Sequence, residues 1–175
     1  MNKESVLEDS FRDIYEEVYP MLIRIAVNIT GDMAVSEDLC QEAFIKYLNR
    51  GIPLPSREQT RYWLIRVLKN LCFNYVKRKG RERKAYNRVL NEPQAPVESG
   101  EVELLKKETN QIVKEALEKL PKKLRTALIL REYGDLSYRE IGGILKISEG
   151  NVKVRVFRAR AQLETLLDEE ELYVS

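Results

Sequence analysis

Histidine is absent from this chain of 175 residues. That removes every mechanism needing an imidazole base or ligand, from Ser-His-Asp triads to the HExxH metal site. Cysteine is scarce: Cys40 and Cys72 are the only two, too far apart for a CxxC zinc knuckle or redox pair. So few thiols suit a reducing compartment, and a cytoplasmic location is expected. No apolar run approaches the roughly 18 residues of a membrane span. The opening stretch MNKESVLEDSFRD has no apolar core, so neither a secretion signal nor a transit peptide is expected. A phosphate-cradling glycine loop and a carboxylate metal cluster are missing as well, so no cofactor, no metal and no enzymatic activity are expected.

Net charge is scarce only on average. The total is +2, from 30 basic and 28 acidic side chains. Residues 1–50 carry 5 basic against 10 acidic groups, whereas residues 57–91 carry 11 against 2, a local net of +9. Residues 92–121 return to −3 and residues 122–175 stand at +1. A run of +9 is either a solvated helix face or the footprint that a phosphate backbone attracts.

The apolar spacing is helical nearly throughout, and the fold class is all-α. Phe11, Ile14, Val18, Leu22, Ile25 and Ile29 recur at three and four, predicting a helix over 7–30 with a kink or short break at Pro20. A second helix is predicted over 35–50, with Leu39, Ala43, Tyr47 and Leu48 inward. The loop GIPLPS follows, then a third helix over 58–79 burying Leu64, Leu68, Leu71 and Tyr75. The segment NEPQAPVESGE, 91–101, reads as a flexible linker. Helices resume over 102–120, 122–133, 137–145 and 149–167. Two small helical domains, 1–90 and 102–175, are therefore expected on either side of the linker, each with its own modest core.

The second domain is expected to hold a helix-turn-helix. Ser137 and Glu140 form a capping box, Lys146-Ile147 makes a tight connection, and Ser148 caps a second helix rich in Lys and Arg. At 100° per residue, Val152, Val156, Ala159 and Leu163 fall on one stripe. Gly150, Asn151, Val154, Phe157 and Arg158 lie opposite, with Lys153 and Arg155 on the flanks. An apolar residue among cations on such a helix suits a thymine methyl beside guanine edges and phosphates.

The third helix presents Tyr62, Arg66, Lys69, Asn70, Phe73 and Lys77 away from its apolar stripe. Aromatics beside backbone-tracking cations form a surface for single-stranded nucleic acid. Trp63, at the stripe's edge, has packing on a neighbouring helix as its stronger reading and base contact as the other. The second helix presents Glu37, Asp38, Gln41 and Glu42 on one acidic face. With no pocket signature or third ligand beside them, they fit a protein-docking face or ordinary solvation better than acid–base or metal chemistry.

Together SEDLCQEAFIKYL (36–48), RYWLIRVLKNLCFNYVKRK (61–79) and the segment ending SEGNVKVRVFRARAQL resemble an extracytoplasmic function (ECF) sigma factor of bacterial RNA polymerase. The resemblance implies that Glu37, Asp38, Gln41 and Glu42 dock on core polymerase. It implies that Arg61, Tyr62, Trp63, Arg66, Lys69, Asn70, Phe73, Asn74 and Lys77, with the loop 51–56, melt and read the promoter −10 element. It assigns Ser148, Gly150, Asn151, Lys153, Val154, Arg155, Phe157 and Arg158 to the duplex −35 element. An anti-sigma factor is implied as a further partner, and no membrane. Asn74 stands where the family more often has aspartate, Asn151 where it has threonine and Ser36 where it has alanine, so promoter specificity does not transfer from a relative. The alternative from another class is a dimeric LuxR-like regulator with an N-terminal interaction lobe; the basic-aromatic third helix argues against it, since a sensor lobe has no need of one.

Overall fold

The computed structural model describes residues 3–90 and 106–174, with side chains over 11–86 and 111–168. Its elements are α1 (Lys3–Thr30), α2 (Met33–Leu48), α3 (Arg57–Leu90), α4 (Lys106–Lys119), α5 (Lys122–Tyr133), α6 (Tyr138–Leu145) and α7 (Glu149–Val174), with no strand among the described residues. The linker predicted over 91–101 lies outside the described residues, as do residues 102–105 of the predicted fourth helix.

Helices α1, α2 and α3 pack around one another. The predicted stripe of α1 is buried at Ile14, Val18, Leu22, Ile25 and Ile29. Of the kink or short break expected at Pro20, the break is absent: α1 runs through it. Pro20 sits on the exposed side, and burial of Val18 and Leu22 on either side of it holds the helix together, offsetting a cost of about 3 kcal/mol for an internal proline. Gly31 turns the chain at φ +74°, a left-handed value that favours glycine. Asp32 then caps α2, its Oδ1 accepting from the Val35 N–H at 3.1 Å. Ser36, completely buried, donates to the Asp32 carbonyl at 2.6 Å and lies 2.8 Å from the Thr30 hydroxyl, so this interior polar group is satisfied.

Two predicted stripes are rotated. Helix α2 buries Ser36, Cys40, Ala43 and Phe44, while Leu39 and Tyr47 are half-buried and Leu48, expected inward, is exposed. Phe44 goes in because Phe11 and Tyr15 of α1 receive it, with ring centroids 6.0 and 4.8 Å away. Helix α3 buries Leu64, Ile65, Leu68 and Cys72, leaving Leu71 and Tyr75 half-buried. It also continues to Leu90 rather than ending at Lys79. Arg57 ties its start to α1 through Asp13 (3.2 Å) and Glu17 (3.1 Å).

Helix α5 is the axis of the second half. Its run Thr126–Leu130 is buried on all sides, as expected of a helix apolar all round. It packs on α6 and α7 and also on α1, so one continuous core joins both halves.

Candidate nucleic-acid interface

The α6–turn–α7 unit is set by local hydrogen bonding. The Glu140 N–H donates to Ser137 Oγ at 3.2 Å and the Ser137 N–H donates to Glu140 Oε2 at 2.8 Å, completing the capping box. Lys146 takes the left-handed cap position at φ +56°, and the Ile147 N–H returns to the Gly142 carbonyl at 3.0 Å. Gly142 is required there, because a Cβ would lie 2.7 Å from the Ile147 carbonyl oxygen. Ser148 Oγ accepts from the Asn151 N–H at 3.2 Å, starting α7. Arg131 donates to the Leu136 carbonyl at 2.6 Å, its guanidinium 4.7 Å from the Tyr138 ring centre, and Arg160 pairs with Glu132 at 2.7 Å. These contacts fix α7 against α5 and α6.

On α7 the predicted phase holds. Val152, Val156 and Ala159 are buried, while Gly150, Asn151, Lys153, Val154, Phe157 and Arg158 are exposed and Arg155 is half-buried. Phe157 is 73% exposed, an unusual cost for a phenylalanine on an otherwise cationic surface. Lys153 sits 2.8 Å from Glu149, a hydrogen-bonded pair that holds the lysine above its ordinary range and the carboxylate below its own. Glu149 thus partly neutralises one cation of the face and leaves Arg158 unpaired among the described residues.

On α3, Arg66, Asn70, Asn74 and Lys77 are exposed, whereas Arg61, Tyr62, Trp63, Lys69 and Phe73 are half-buried. Trp63 lies under Arg50, 5.2 Å from its guanidinium, and 6.1 Å from the Tyr47 ring, so one face of the indole is engaged within the first half. Arg61 pairs with Asp135 at 3.0 Å. Two ammonium groups lie over the Phe73 ring, Lys69 at 5.3 Å and Lys122 at 4.7 Å from its centre. Burial, with Lys146 and Arg66 nearby, pushes the Lys69 ammonium below its ordinary range. Further along, a cavity of about 490 Å³ opens between Phe73, Asn74, Lys77, Arg81, Lys84 and Lys122 with no acidic side chain in its wall.

The acidic face of α2 carries a second character that sequence reasoning missed. Glu37, Asp38, Gln41 and Glu42 are all exposed, but so are Met33, Ile45 and Leu48, with Ile52 at 72% in the following loop. Met33, Glu37, Gln41 and Ile45 succeed one another at four-residue spacing, and Leu48 lies a turn beyond Ile45, so exposed apolar side chains share this face with the carboxylates. The four-residue repeat that puts Met33 and Ile45 in one row with Glu37 and Gln41 was the available signal. Among the described residues, no group of histidine, cysteine or carboxylate side chains is arranged to hold a metal ion, and no helix is long and apolar enough to cross a membrane.

The Sigma-70 region 2 family model matches residues 14–82, and the model for Sigma-70 region 4 matches residues 110–163. The ECF RNA polymerase sigma-E factor of Haemophilus influenzae is 35% identical over 136 residues, covering 73% of this chain and 71% of that protein. The RNA polymerase sigma-H factor of Pseudomonas aeruginosa is 29% identical over 154 residues, 83% of this chain and 80% of that one. SigW of Bacillus subtilis, an ECF RNA polymerase sigma factor, is 27% identical over 172 residues, covering 91% and 90%. Among solved structures, the sigma factor RpoE of Bartonella quintana, in complex with the anti-sigma factor NepR, superposes with a TM-score of 0.70 at 28% identity, over 91% of this chain and 97% of that one. CnrH, in complex with the cytosolic domain of CnrY, shares the fold with a TM-score of 0.65 at 20% identity, over 93% and 90%. Region 2 ahead of region 4 leaves the LuxR-like alternative without support. The chain belongs to the ECF family of RNA polymerase sigma factors and is an alternative sigma factor that directs transcription initiation.

Proposed function

We propose that three faces divide the work of this sigma factor. The α2 stripe, Glu37, Asp38, Gln41 and Glu42 with Ile45 and Leu48, docks on core RNA polymerase. The α3 face, Arg61, Tyr62, Trp63, Arg66, Lys69, Asn70, Phe73, Asn74 and Lys77, melts and holds the −10 element as a single strand. The α7 face, Ser148, Gly150, Asn151, Lys153, Val154, Arg155, Phe157 and Arg158, reads the −35 duplex. The functional lobes run 1–90 and 102–175 about the linker 91–101, the chain works in the cytoplasm, and the chemistry of RNA synthesis stays in the polymerase, so the sigma factor is not itself an enzyme. An anti-sigma factor is a fitting regulator, in keeping with the NepR and CnrY complexes of the two structural neighbours.

The observation that carries this reading is α7. Over a completely buried valine–valine–alanine stripe it exposes Val154, Phe157 and Arg158 together, an apolar and cationic combination matched to base edges and phosphates. Run-off transcription with purified core polymerase tests it. Arg66→Ala with Lys69→Ala should slow open-complex formation with polymerase affinity kept. Arg158→Ala should lower initiation from promoters with a −35 element, or flatten the salt dependence if the guanidinium holds a phosphate. Loss of polymerase binding by the α3 pair, or full activity of Arg158→Ala, overturns the division.

A further inference from the structure

Between Lys77 and Lys84, α3 breaks the local rules of helix stability. Lys77 and Arg81 are like charges four residues apart, and Lys84 adds a third cation in the next turn. Gly80 lies among them, inside a helix, where glycine is the poorest former after proline. No close approach demands it, because a Cβ at Gly80 would meet nothing within 4 Å. The carboxylate of this stretch, Glu82, pairs with Arg78 at 3.7 Å and is not in the wall of the cavity of about 490 Å³. The unfavourable residues all are. Phe73, Val76 and Gly80 form an apolar strip of that wall, and Lys77, Arg81 and Lys84 form a cationic strip beside it. Lys122 brings a fourth cation from α5, its Nζ 4.7 Å from the Phe73 ring centre. Helix α5 starts at this residue without a side-chain cap, so the positive end of its dipole adds to the same field. We propose that the cavity binds a free nucleotide with two or more phosphates, the phosphates held by Lys77, Arg81, Lys84 and Lys122 and the base laid on the Phe73–Val76–Gly80 strip.

The shape of the site favours a small molecule over a nucleic-acid backbone. Its volume falls within the roughly 300–1,000 Å³ of small-molecule sites, and its cations converge from two helices on one concavity. Gly80 supplies room rather than charge. Phosphate contact alone gains nothing from a missing side chain, whereas a flat ring lying on the helix needs the space. The Asn74 amide, also in the wall, both donates and accepts, as the edge of a base requires. Lys122 rests on the Phe73 ring by a cation–π contact; a phosphate offers its ammonium a stronger, charge-assisted partner and frees ring surface for the base. Phe73, Asn74 and Lys77 also belong to the face proposed for the −10 strand. An occupied cavity therefore excludes the strand from them, a consequence that rests on that reading of α3.

Calorimetric titration of the full chain with ADP in metal-free buffer tests the site, with inorganic pyrophosphate and adenosine for comparison. ADP should bind about tenfold more tightly than either, because it alone fills both strips. Lys122→Ala should weaken ADP about tenfold, whereas Lys123→Ala, which removes the same charge just outside the wall, should change it less than about twofold. Gly80→Leu keeps every charge, favours the helix and fills the strip; it should abolish the preference for ADP over pyrophosphate and raise the melting temperature. Equal affinity for ADP and pyrophosphate, equal losses at Lys122 and Lys123, or a preference for ADP that survives Gly80→Leu reduces the cavity to a patch of cations and overturns the proposal. If ADP does not bind while Arg81→Ala and Lys84→Ala weaken promoter binding, the cations serve the DNA backbone and the proposal falls. Open-complex formation by the holoenzyme, with no other nucleotide present, reads the α3 face separately: saturating ADP should slow the parent but not Gly80→Leu. ADP that binds the chain yet leaves open-complex formation unchanged upholds the site and refutes the place of Phe73, Asn74 and Lys77 in the strand face.

Discussion

Three valines two positions apart on α7 give a controlled comparison of stability against recognition. Val152 and Val156 are 0% and 1% exposed, whereas Val154 is 46% exposed. Truncation to alanine removes the same two carbon atoms at each site. At the buried sites the transfer cost is about 0.8 kcal/mol per carbon, and a cavity penalty takes the total to about 2–3 kcal/mol. Alanine's better helix propensity returns a few tenths, about 0.5 kcal/mol. At Val154 roughly half the transfer cost applies and the helix gain nearly cancels it, leaving a change within about 0.5 kcal/mol. Urea denaturation followed by circular dichroism should move the midpoint down for Val152→Ala and Val156→Ala at unchanged m, and leave Val154→Ala at the parent value. Run-off transcription should reverse the order. Val154→Ala loses an apolar contact with the major groove, worth about 1 kcal/mol or a factor of about 5, while folded Val156→Ala initiates normally below its melting range. If Val154→Ala destabilises as much as Val156→Ala, the phase of α7 is wrong; if it is stable and fully active, Val154 does not face DNA.

The Cys40 and Cys72 thiols, raised chiefly by burial from 9.0 to about 12, should resist alkylation in the native chain at neutral pH and react once urea unfolds it. Because the folded state holds those protons more tightly, stability should fall as pH rises above about 9 toward about 12, with the opposite sign expected if the thiols were ionised in the fold. Ser137→Ala removes the acceptor of the capping box and should cost about 1 kcal/mol by thermal or urea melting, with the α7 face unchanged. Ile45→Asp with Leu48→Ser, both at exposed sites, should abolish binding to core polymerase in a pull-down while leaving the melting temperature within a degree or so, about the effect of a surface change.

Local rules carried the sequence reading furthest where an element is fixed by its own neighbours. The capping box at Ser137–Glu140, the Ser148 cap and the split of α7 into a buried valine stripe and an exposed cationic one all follow from short-range spacing. Two other stripes were misphased because the choice was made elsewhere in the chain. On α2, apolar residues occupy both sides: Leu39, Ala43 and Tyr47 compete with Cys40, Phe44 and Ile45, and only the rings of Phe11 and Tyr15 decide for Phe44. On α3, Ile65 and Cys72 displace Leu71 and Tyr75 for the same reason. The role of Gly142 was invisible, since a glycine demanded by a close approach cannot be told from a tolerated one until the approaching group, Ile147, is in place. Nor does helical periodicity say that α5 packs on α1 as well as on α6 and α7, and so joins the core of the two halves.

The mixed face of α2 has a consequence for how the protein behaves at high concentration. Its exposed apolar side chains invite self-association, and the carboxylates among them, part of a first 50 residues with twice as many acidic as basic groups, repel a second copy. That repulsion acts over about 8 Å at physiological ionic strength and about 3 Å in molar salt, whereas the attraction between apolar surfaces does not weaken with salt. The free factor is thus colloidally stable only while its carboxylates are unscreened. Salting should drive it into reversible oligomers through the same face proposed to dock on polymerase, and Ile45→Asp should keep it monomeric under the same conditions.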